Sequence, residues 1–223
     1  MSVLTLRYQG GSETPALKDV SFSLAPGEKA ALIGADGAGK SSLLLCIAGL
    51  LPPTAGTVRL GTSAPGERTA TLVMQNPDDQ LFMPTVYDDA AFGPRNYGVP
   101  EDEIARRIDA VLAGLGIPHL KPRLTSHLSG GEKRLAALAG VLVLRPSLLL
   151  LDEPSSFLDP RSRRRLLAVL RDLPQALLVA THDLDLASSL CERTLVLSEG
   201  ALKADVPTAD ILGKRAMLEE WGL

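Results

Sequence analysis

Short apolar runs recur along this chain and predict a sheet with strands of two kinds. The segments Val3–Tyr8 and Val20–Leu24 alternate apolar and polar residues, as half-buried antiparallel strands do. The runs Lys29–Ile33, Leu148–Leu151 and Ala176–Ala180 are almost continuously apolar, which is typical of the inner strands of a parallel sheet. We therefore expect an α/β fold with a buried parallel core.

Helical patterns lie between these strands. A helix is predicted at Ser41–Leu50, just before two prolines, and another around Leu166–Leu170. Within Glu101–Leu115 the apolar residues fall on one helical stripe, with Pro100 before the first turn and Gly116 after the last. The tail is expected to add a strand at Thr194–Leu197, a turn at Glu199–Gly200 and a helix near Lys214–Glu220.

The middle of the chain has a mostly helical pattern, from about Asp78 to Leu144, whereas strand patterns dominate on both sides of it. We expect a single domain over residues 1–223. Its core would comprise residues 1–77 and 145–223, with a helical subdomain of about residues 78–144 inserted.

Composition and charge change this picture little. Hydrophobic residues make up 45% of the 223 residues and charged residues 22%, the balance of an ordinary globular protein. The formal net charge of -3 argues against a polyanionic partner, so we expect no nucleic-acid binding. The basic cluster of Arg161 and Arg163–Arg165 is interpreted as a solvated helix face. Cys46 and Cys191 have apolar neighbours and are predicted to be reduced core thiols.

Nothing in the apolar pattern predicts a membrane-spanning segment. The N-terminus lacks a basic region followed by a long apolar run, so no secretory signal is expected. The most apolar stretch, Leu135–Leu151, is interrupted by Arg145 and Pro146 and is shorter than the ~20 residues that span a bilayer. Any association with a membrane is therefore expected to be peripheral.

A phosphate-binding loop is predicted between the strand at residues 29–33 and the helix after it. Residues 34–41 read GADGAGKS, which matches the P-loop pattern. Glycines are needed there because backbone N–H groups must converge on phosphates, while the lysine bridges the terminal phosphates and the serine binds Mg²⁺. The residues predicted to contact ATP are Gly34, Asp36, Gly37, Ala38, Gly39, Lys40, Ser41 and Ser42.

Two acids follow the apolar strand at residues 148–151. Ligands of open α/β sheets bind at the carboxyl ends of the strands, so Asp152 is placed to hold Mg²⁺. Glu153 is placed to orient or deprotonate the attacking water. Alternatively, the pair is a strand end with two solvated acids. Together with the P-loop, these acids predict an ATPase that uses Mg²⁺.

Residues 128–132, LSGGE, resemble the signature motif of the ABC ATPase family, and they precede the acidic strand as in that family. The resemblance implies an ABC ATPase fold: a RecA-like P-loop core with an antiparallel β subdomain and an inserted helical subdomain. It also implies a dimer in which Ser129, Gly130 and Gly131 meet the γ-phosphate bound by the second ATPase subunit. The alternative is that Ser129 only caps a helix.

Further positions acquire roles through this resemblance. Gln75 matches the Q-loop glutamine, which contacts Mg²⁺ and the attacking water, and His182 matches the switch histidine at the γ-phosphate. Asp159 matches the aspartate of the D-loop, and Tyr8 stands where an aromatic residue stacks on adenine. The catalytic set expected is Lys40, Gln75, Glu153 and His182, and the Mg²⁺ set is Ser41, Gln75 and Asp152.

The chain departs from the family pattern at a few places. Asp36 puts a carboxylate into the P-loop, where it should weaken triphosphate binding slightly unless it points away. Phe157 replaces the glycine or alanine that is common before the D-loop residues Leu158 and Asp159. The segment between Thr57 and Gln75 is also short.

Residues 75–82, QNPDDQLF, resemble the ATPases of energy-coupling-factor importers, which take up vitamins, cobalt or nickel. The resemblance implies separate transmembrane partners, docked at Leu81, Phe82 and Val86, with Asp78 and Asp79 available for basic residues, on the cytoplasmic face of the cell membrane. We expect an importer ATPase of the cobalt or nickel type, as a homodimer or with a paralogue. A vitamin-type ATPase, a soluble ABC ATPase or a P-loop kinase is the alternative, and residues 78–86 alternatively form part of the core of the helical subdomain.

Overall fold

The computed structural model describes residues 4–6, 16–61, 64 and 67–212. The strands are β1 Leu4–Leu6, β2 Leu17–Val20, β3 Lys29–Ile33, β4 Ala70–Val73, β5 Leu148–Asp152, β6 Ala176–Thr181, β7 Arg193–Ser198 and β8 Ala201–Pro207. The helices are α1 Lys40–Ile47, α2 Val86–Asn96, α3 Glu101–Gly114, α4 Gly130–Leu142, α5 Pro160–Asp172, α6 Leu184–Leu190 and α7 Thr208–Leu212. Short 3₁₀ turns lie at Pro77–Asp79, Pro118–Leu120 and Thr125–His127.

The large sheet has six strands in the order β4-β5-β6-β3-β7-β8, in which β8 alone is antiparallel to its neighbour. Ile33 pairs with Thr181, and Asp152 pairs with Ala180, so β3, β5 and β6 end at nearly the same level. The loops that follow these strands therefore meet at one edge of the sheet, where ligands of parallel α/β proteins bind.

Each face of this sheet supports its own apolar core. On β3, Ala31 and Ile33 belong to a core that also includes residues of α2–α6, while Ala30 and Leu32 belong to a core shared with α1. Side chains of a strand alternate between its faces, so this one strand anchors both cores. The predicted α/β fold with a parallel core is confirmed.

The predicted antiparallel pair near the N-terminus is present, but its second strand was misplaced. β2 runs over Leu17–Val20, not Val20–Leu24, and pairs antiparallel with β1. Phe22 and Leu24 instead pack as partly buried residues against the core shared with α1. Alternation alone did not separate a paired strand from an extended segment that packs through its side chains.

Other elements lie close to their predicted places. α1 ends before Gly49, whose φ of 73° stops the helix ahead of the prolines. The turn between β7 and β8 has positive φ at both Glu199 and Gly200, as a two-residue hairpin turn requires. The helix predicted near residues 214–220 lies outside the described residues.

Candidate functional site

The P-loop connects β3 to α1 and is fastened from within by its lysine. Lys40 is buried, and its Nζ donates to the carbonyl oxygens of Gly34 at 2.6 Å and Ala35 at 3.1 Å. From outside, the N–H of Gly200 donates to the Ala38 carbonyl oxygen at 3.1 Å. The loop is thus held in a fixed shape by a charged group that lies inside it.

Glycine is required at several positions of this loop for different reasons. A Cβ on Gly34 would overlap the carbonyl oxygen of Leu197, and one on Gly39 would come within 2.7 Å of the Ala16 carbonyl oxygen. Gly37 has open space around it but a φ of 79°, which side chains disfavour. The loop therefore packs closely against Leu197 and Ala16 at Gly34 and Gly39, whereas no described residue packs against it at Gly37.

The N-terminus of α1 fits a bound phosphate. Among the described residues, no side chain caps this helix and the helix has no acid in its own first turn, so its first N–H groups and the positive end of its dipole can face an anion. Asp36 and Ser41 are exposed, and Ser42 is half-buried in the first turn. Together with Lys40, this arrangement suits the phosphates of a nucleotide.

Asp152 stands at the end of β5 beside the P-loop. It accepts a hydrogen bond from Ser41, and burial raises the pKa of the Asp152 carboxyl, although Ser41 and the charge of Lys40 oppose that shift. A hydroxyl and a carboxylate are oxygen ligands suited to Mg²⁺. In the described part of the chain, no three or more His, Cys, Asp or Glu residues gather into a metal cluster.

Glu153 follows directly and has an unusual backbone. Its φ of 43° lies in the left-handed region, which is strained for a residue with a side chain and tends to occur at functional sites. The side chain is buried, and Oε2 accepts a hydrogen bond from Thr181 Oγ1 at 3.0 Å. Oε1 accepts from the backbone N–H of His182 at 3.0 Å and lies 2.8 Å from its Nδ1. The turn thus directs the carboxylate toward the end of β6.

The His182 side chain is 63% exposed, in contrast to the carboxylate that it contacts. Thr181, fully buried, also accepts a hydrogen bond from the Asp183 N–H at 3.0 Å. With Nδ1 protonated, the ring donates to Glu153 and its Nε2 is left to face solvent or a ligand. One carboxylate, one hydroxyl and one imidazole therefore form a connected chain at the sheet edge.

Gln75 lies two residues beyond β4, which neighbours β5 at the end of the sheet. Its side chain is exposed, while its carbonyl oxygen accepts a hydrogen bond from Arg134 of α4. The topology thus places Gln75 on the same sheet edge as Asp152 and Glu153.

The signature motif forms the start of α4. Ser129 is the N-cap: its hydroxyl accepts a hydrogen bond from the Glu132 N–H at 3.4 Å and donates to Glu132 Oε2 at 2.8 Å. The Ser129 N–H donates to the same carboxylate at 2.8 Å, which completes a capping box. Hydrogen bonds from Ser129 lower the pKa of Glu132. The helix-capping alternative describes this structure, and Ser129 and Gly130 of the motif are also exposed.

The D-loop lies beside the signature motif of the same chain. Asp159 caps α5 by accepting hydrogen bonds from the N–H groups of Arg161 and Ser162 at 2.9 and 3.1 Å, and from Ser162 Oγ at 2.5 Å. A Cβ on Gly131 would come within 2.5 Å of that same Ser162 Oγ. Gly131 is therefore a glycine because α5 approaches it closely, whereas a Cβ on Gly130 would meet no atom of the described residues within 4 Å.

The predicted residues form two groups. The P-loop, Gln75, Asp152, Glu153 and His182 share one edge of the sheet, whereas Ser129, Gly131 and Asp159 cluster at the start of α4 and α5. Tyr8 lies outside the described residues. Two expectations about the partner surface change. Asp78 already forms an ion pair with Lys133 at 2.6 Å. Val86 is only 1% exposed and belongs to the core, so it does not line a docking groove, as the core alternative for this segment predicted.

Sequence reasoning missed some residues that support the site. Thr181 holds Glu153, and Arg134 holds the backbone at Met74 and Gln75. Gln80 connects Met74 to α4 through its amide. The visible indication was an arginine, three residues after Gly131, at the start of the apolar run Leu135–Leu142 of α4.

A P-loop nucleoside triphosphatase is the class of protein that this fold and site define. The chain belongs to the ABC transporter family, whose model matches residues 17–156. It is an ABC transporter ATP-binding protein, an ATPase, and it is similar to the CbiO and EcfA ATPases of energy-coupling-factor transporters. None of the helices in the described ranges has the length and apolar character needed to cross a membrane.

Three relatives illustrate the similarity. A protein of Geobacter sulfurreducens, GSU1281, named only as an ABC transporter ATP-binding protein, is 48% identical over 95% of this chain and 87% of its own. The cobalt import ATP-binding protein CbiO of Rhodobacter capsulatus is 42% identical over 99% of this chain and 82% of its own. The structure of cbiO1 from Clostridium perfringens, part of the transporter complex cbiONQ, superposes with a TM-score of 0.82 at 33% identity, covering 98% of this chain and 92% of that one.

Proposed function

We propose that this chain is the ATP-hydrolysing subunit of an energy-coupling-factor-type importer, docked on separate transmembrane subunits at the cytoplasmic face of the membrane. It would act as a dimer, with an identical chain or a paralogue, and use Mg²⁺. Residues 78–144 would form the helical subdomain between the two parts of the core. The similarity of the chain to CbiO and EcfA proteins supports the proposal of this type of transporter.

Each residue of the sheet edge has a role in this proposal. Lys40 and the P-loop N–H groups would bind the phosphates, and Ser41, Asp152 and Gln75 would hold Mg²⁺, which would neutralise phosphate charge. Glu153 would orient the attacking water and accept its proton, because Oε2 has one lone pair left beside the Thr181 bond. His182 would reach the γ-phosphate with its exposed side.

The second group of residues would act across the dimer interface. Ser129, Gly130 and Gly131 of one subunit would contact the nucleotide held by the P-loop of the other, and Asp159 would lie at the same interface. ATP binding would then close the dimer, and hydrolysis would reopen it. The exposure of Ser129 in the single chain is consistent with such a contact.

The observation that carries the importer proposal is an exposed aromatic pair beside the Q-loop. Phe82 is 62% exposed and Phe92 is 41% exposed, and their rings meet edge to face at a centroid distance of 4.8 Å. Asp89 Oδ1 accepts hydrogen bonds from the N–H groups of Phe82 and Met83, both at 3.0 Å, which fixes the loop. Rigid, exposed aromatic side chains are typical anchors of protein interfaces.

The proposed cargo class comes from a relative of the chain. A cobalt or nickel transporter is our preferred proposal because one relative that is 42% identical is a cobalt import protein. No ATPase residue is expected to touch the transported ion, so a vitamin-type transporter stays the alternative. A soluble ABC ATPase is a third candidate, which an exposed docking surface does not favour.

The test is to isolate the chain with its native membrane partners and to measure ATP hydrolysis with and without them. Phe82→Ala should reduce the stimulation by the partners about tenfold, as expected for an interface anchor. Leu50→Ala is the matched control, since Leu50 is 67% exposed but follows α1 on the other face of the sheet. Isolation of a ribosomal or DNA-bound complex, or equal stimulation of both variants, would contradict the proposal.

A further inference from the structure

A buried arginine links the signature helix α4 to the Q-loop. Arg134, five residues after Ser129, is only 2% exposed. Its Nη1 donates to the Met74 carbonyl oxygen at 2.6 Å, and its Nη2 donates to the Gln75 carbonyl oxygen. Its Nε has no hydrogen-bond partner within the described ranges. The planar guanidinium of Arg134 therefore binds two consecutive backbone carbonyl groups.

A second contact strengthens this link. The Met74 N–H donates to Gln80 Oε1 at 3.1 Å, and Gln80 Nε2 donates to the Ala137 carbonyl oxygen at 2.9 Å. Gln80 thus joins the end of β4 to α4, one turn beyond Arg134. We call Arg134 and Gln80, with their partners at residues 74, 75 and 137, the brace.

Simple packing does not explain an arginine at this position. Burying a guanidinium is unfavourable, and burial indeed lowers the pKa of Arg134, an effect that the negative charge of Asp152 opposes. A methionine would fill an apolar site of this size without that cost. What the arginine adds is a fixed orientation of the backbone at Gln75, because a forked donor restrains both carbonyl groups at once.

The two ends of the brace serve different nucleotides in the proposed dimer. Gln75 would contact the nucleotide held by its own P-loop, whereas Ser129 would contact the nucleotide held by the partner's P-loop. Both residues are fixed to the same rigid helix, since α4 carries Ser129 at its N-cap and Arg134 in its second turn. A movement of Gln75 toward one nucleotide therefore displaces the motif that completes the other site.

We propose that Arg134 is a positioning residue that, together with Gln80, couples the two nucleotide sites of the dimer. This inference rests on the proposed dimeric ATPase and deepens it. The coupling makes hydrolysis cooperative in ATP concentration, with a Hill coefficient between 1 and about 2, the number of sites. Loss of the brace separates the sites without removing a group that contacts ATP.

The experiment measures the rate of hydrolysis against ATP concentration with the full chain in its native complex. Arg134→Met removes the charge along with both donors, so no unpaired charge is left behind. The Hill coefficient of this variant should fall to about 1. Its affinity for ATP, measured by binding to the purified single subunit, should stay within about threefold of the wild-type value. Gln80→Ala is milder and should lower the Hill coefficient in the same direction, which keeps the test valid if Arg134→Met folds poorly.

Arg107→Met is the matched control. Arg107 is also a buried arginine of a helix, but it contacts Glu103 and the Val143 carbonyl oxygen, away from residues 74–80. This control should lose stability and keep its Hill coefficient. Two results would overturn the inference, provided that dimerisation and stimulation by the partners persist. The first is a Hill coefficient of 1 in the wild type, and the second is a Hill coefficient that stays at the wild-type value in both brace variants. Absence of ATP-dependent dimers would instead overturn the proposed function.

Discussion

His182 and Glu153 are joined twice: the imidazole Nδ1 and the backbone N–H of His182 lie 2.8 and 3.0 Å from the same carboxylate oxygen of Glu153. Glu153 is buried and its φ is positive, so its carboxylate has few alternative positions. The histidine at the end of β6 therefore fixes the acid that follows β5. A movement of His182 is transmitted directly to Glu153.

The Thr181 hydroxyl holds the other carboxylate oxygen of Glu153, and its contribution can be tested separately from that of His182. Thr181→Val keeps the shape but removes the donor to Glu153 and the acceptor for the Asp183 N–H. We expect a loss of about 1–3 kcal/mol in the free energy of unfolding, because buried polar groups are left unpaired. We also expect kcat to fall about tenfold because the acid is less well held.

Thr181→Ser is the control for this prediction, since it retains the hydroxyl. It should keep most of the activity, with only the loss expected for one buried methyl group, ~1 kcal/mol. Denaturant unfolding and steady-state hydrolysis would measure both effects. Equal kcat values for the valine variant and the wild type would show that Thr181 does not position Glu153.

Phe157 has a φ of 62° and is 92% exposed, which explains why glycine suits this position of the D-loop. Phe157→Gly should relieve about 1–2 kcal/mol of left-handed strain. It should also stabilise the unfolded chain by about 0.4–1 kcal/mol through added flexibility. The first effect is the larger, so the free energy of unfolding should rise slightly, by about 0 to 1.6 kcal/mol. A clear loss of stability in denaturant unfolding would reveal a folded-state contact of the ring.

Asp205 provides a pH-dependent contribution to stability. Hydrogen bonds from Arg193, at 2.6 Å to each carboxylate oxygen, hold the pKa of Asp205 below its ordinary value. The folded state therefore favours the ionised form of Asp205. The stabilisation is complete above the ordinary pKa of an aspartate, and it is lost as pH falls through the lowered pKa of Asp205 in the folded protein. Asp205→Asn should lose about 1 kcal/mol or less at neutral pH.

The difference in unfolding free energy between wild type and Asp205→Asn should accordingly shrink on acidification and vanish below the lowered pKa of Asp205. Denaturant titrations at a series of pH values measure it. A difference that stays constant with pH would show that the ion pair with Arg193 contributes nothing to stability.

The two cysteines are predicted to be unreactive in the folded protein. Burial raises the pKa of Cys191 to about 12 and also raises that of Cys46, so both are protonated at neutral pH. A thiol reagent at pH 7 should label neither in the native protein and both after denaturation. Rapid labelling under native conditions would indicate that the core around the labelled cysteine opens readily, at α1 for Cys46 or beside β7 for Cys191.

Much of the nucleotide-binding half of the fold followed from local sequence. β3, the P-loop and α1 were predictable because each depends on neighbouring residues: an apolar run, a set of glycines, and an apolar segment followed by two prolines. The acids after β5 were predictable for the same reason. The predicted start of β2 was three residues too late, because Phe22 and Leu24 pack against a core that only the tertiary fold creates.

The supporting residues were less accessible to sequence reasoning. Arg134 resembles any charged residue of a helix until the sheet brings residues 74–75 against α4. Thr181 likewise gains its meaning from the pairing of β5 with β6, which places Glu153 next to it. The order of strands in a sheet depends on residues that are far apart in sequence. Contacts between neighbouring strands could therefore be identified only from the structure.

In the proposed mechanism, Glu153 activates the attacking water for ATP hydrolysis in a dimer closed by ATP. The most direct measurement compares phosphate release and ATP-dependent dimerisation of the wild type and Glu153→Gln, with Mg²⁺ present. We predict that the variant loses at least about 100-fold in turnover, the usual contribution of a general base, while its dimers form and persist with ATP. Undiminished phosphate release, or failure of either protein to dimerise with ATP, would contradict the account.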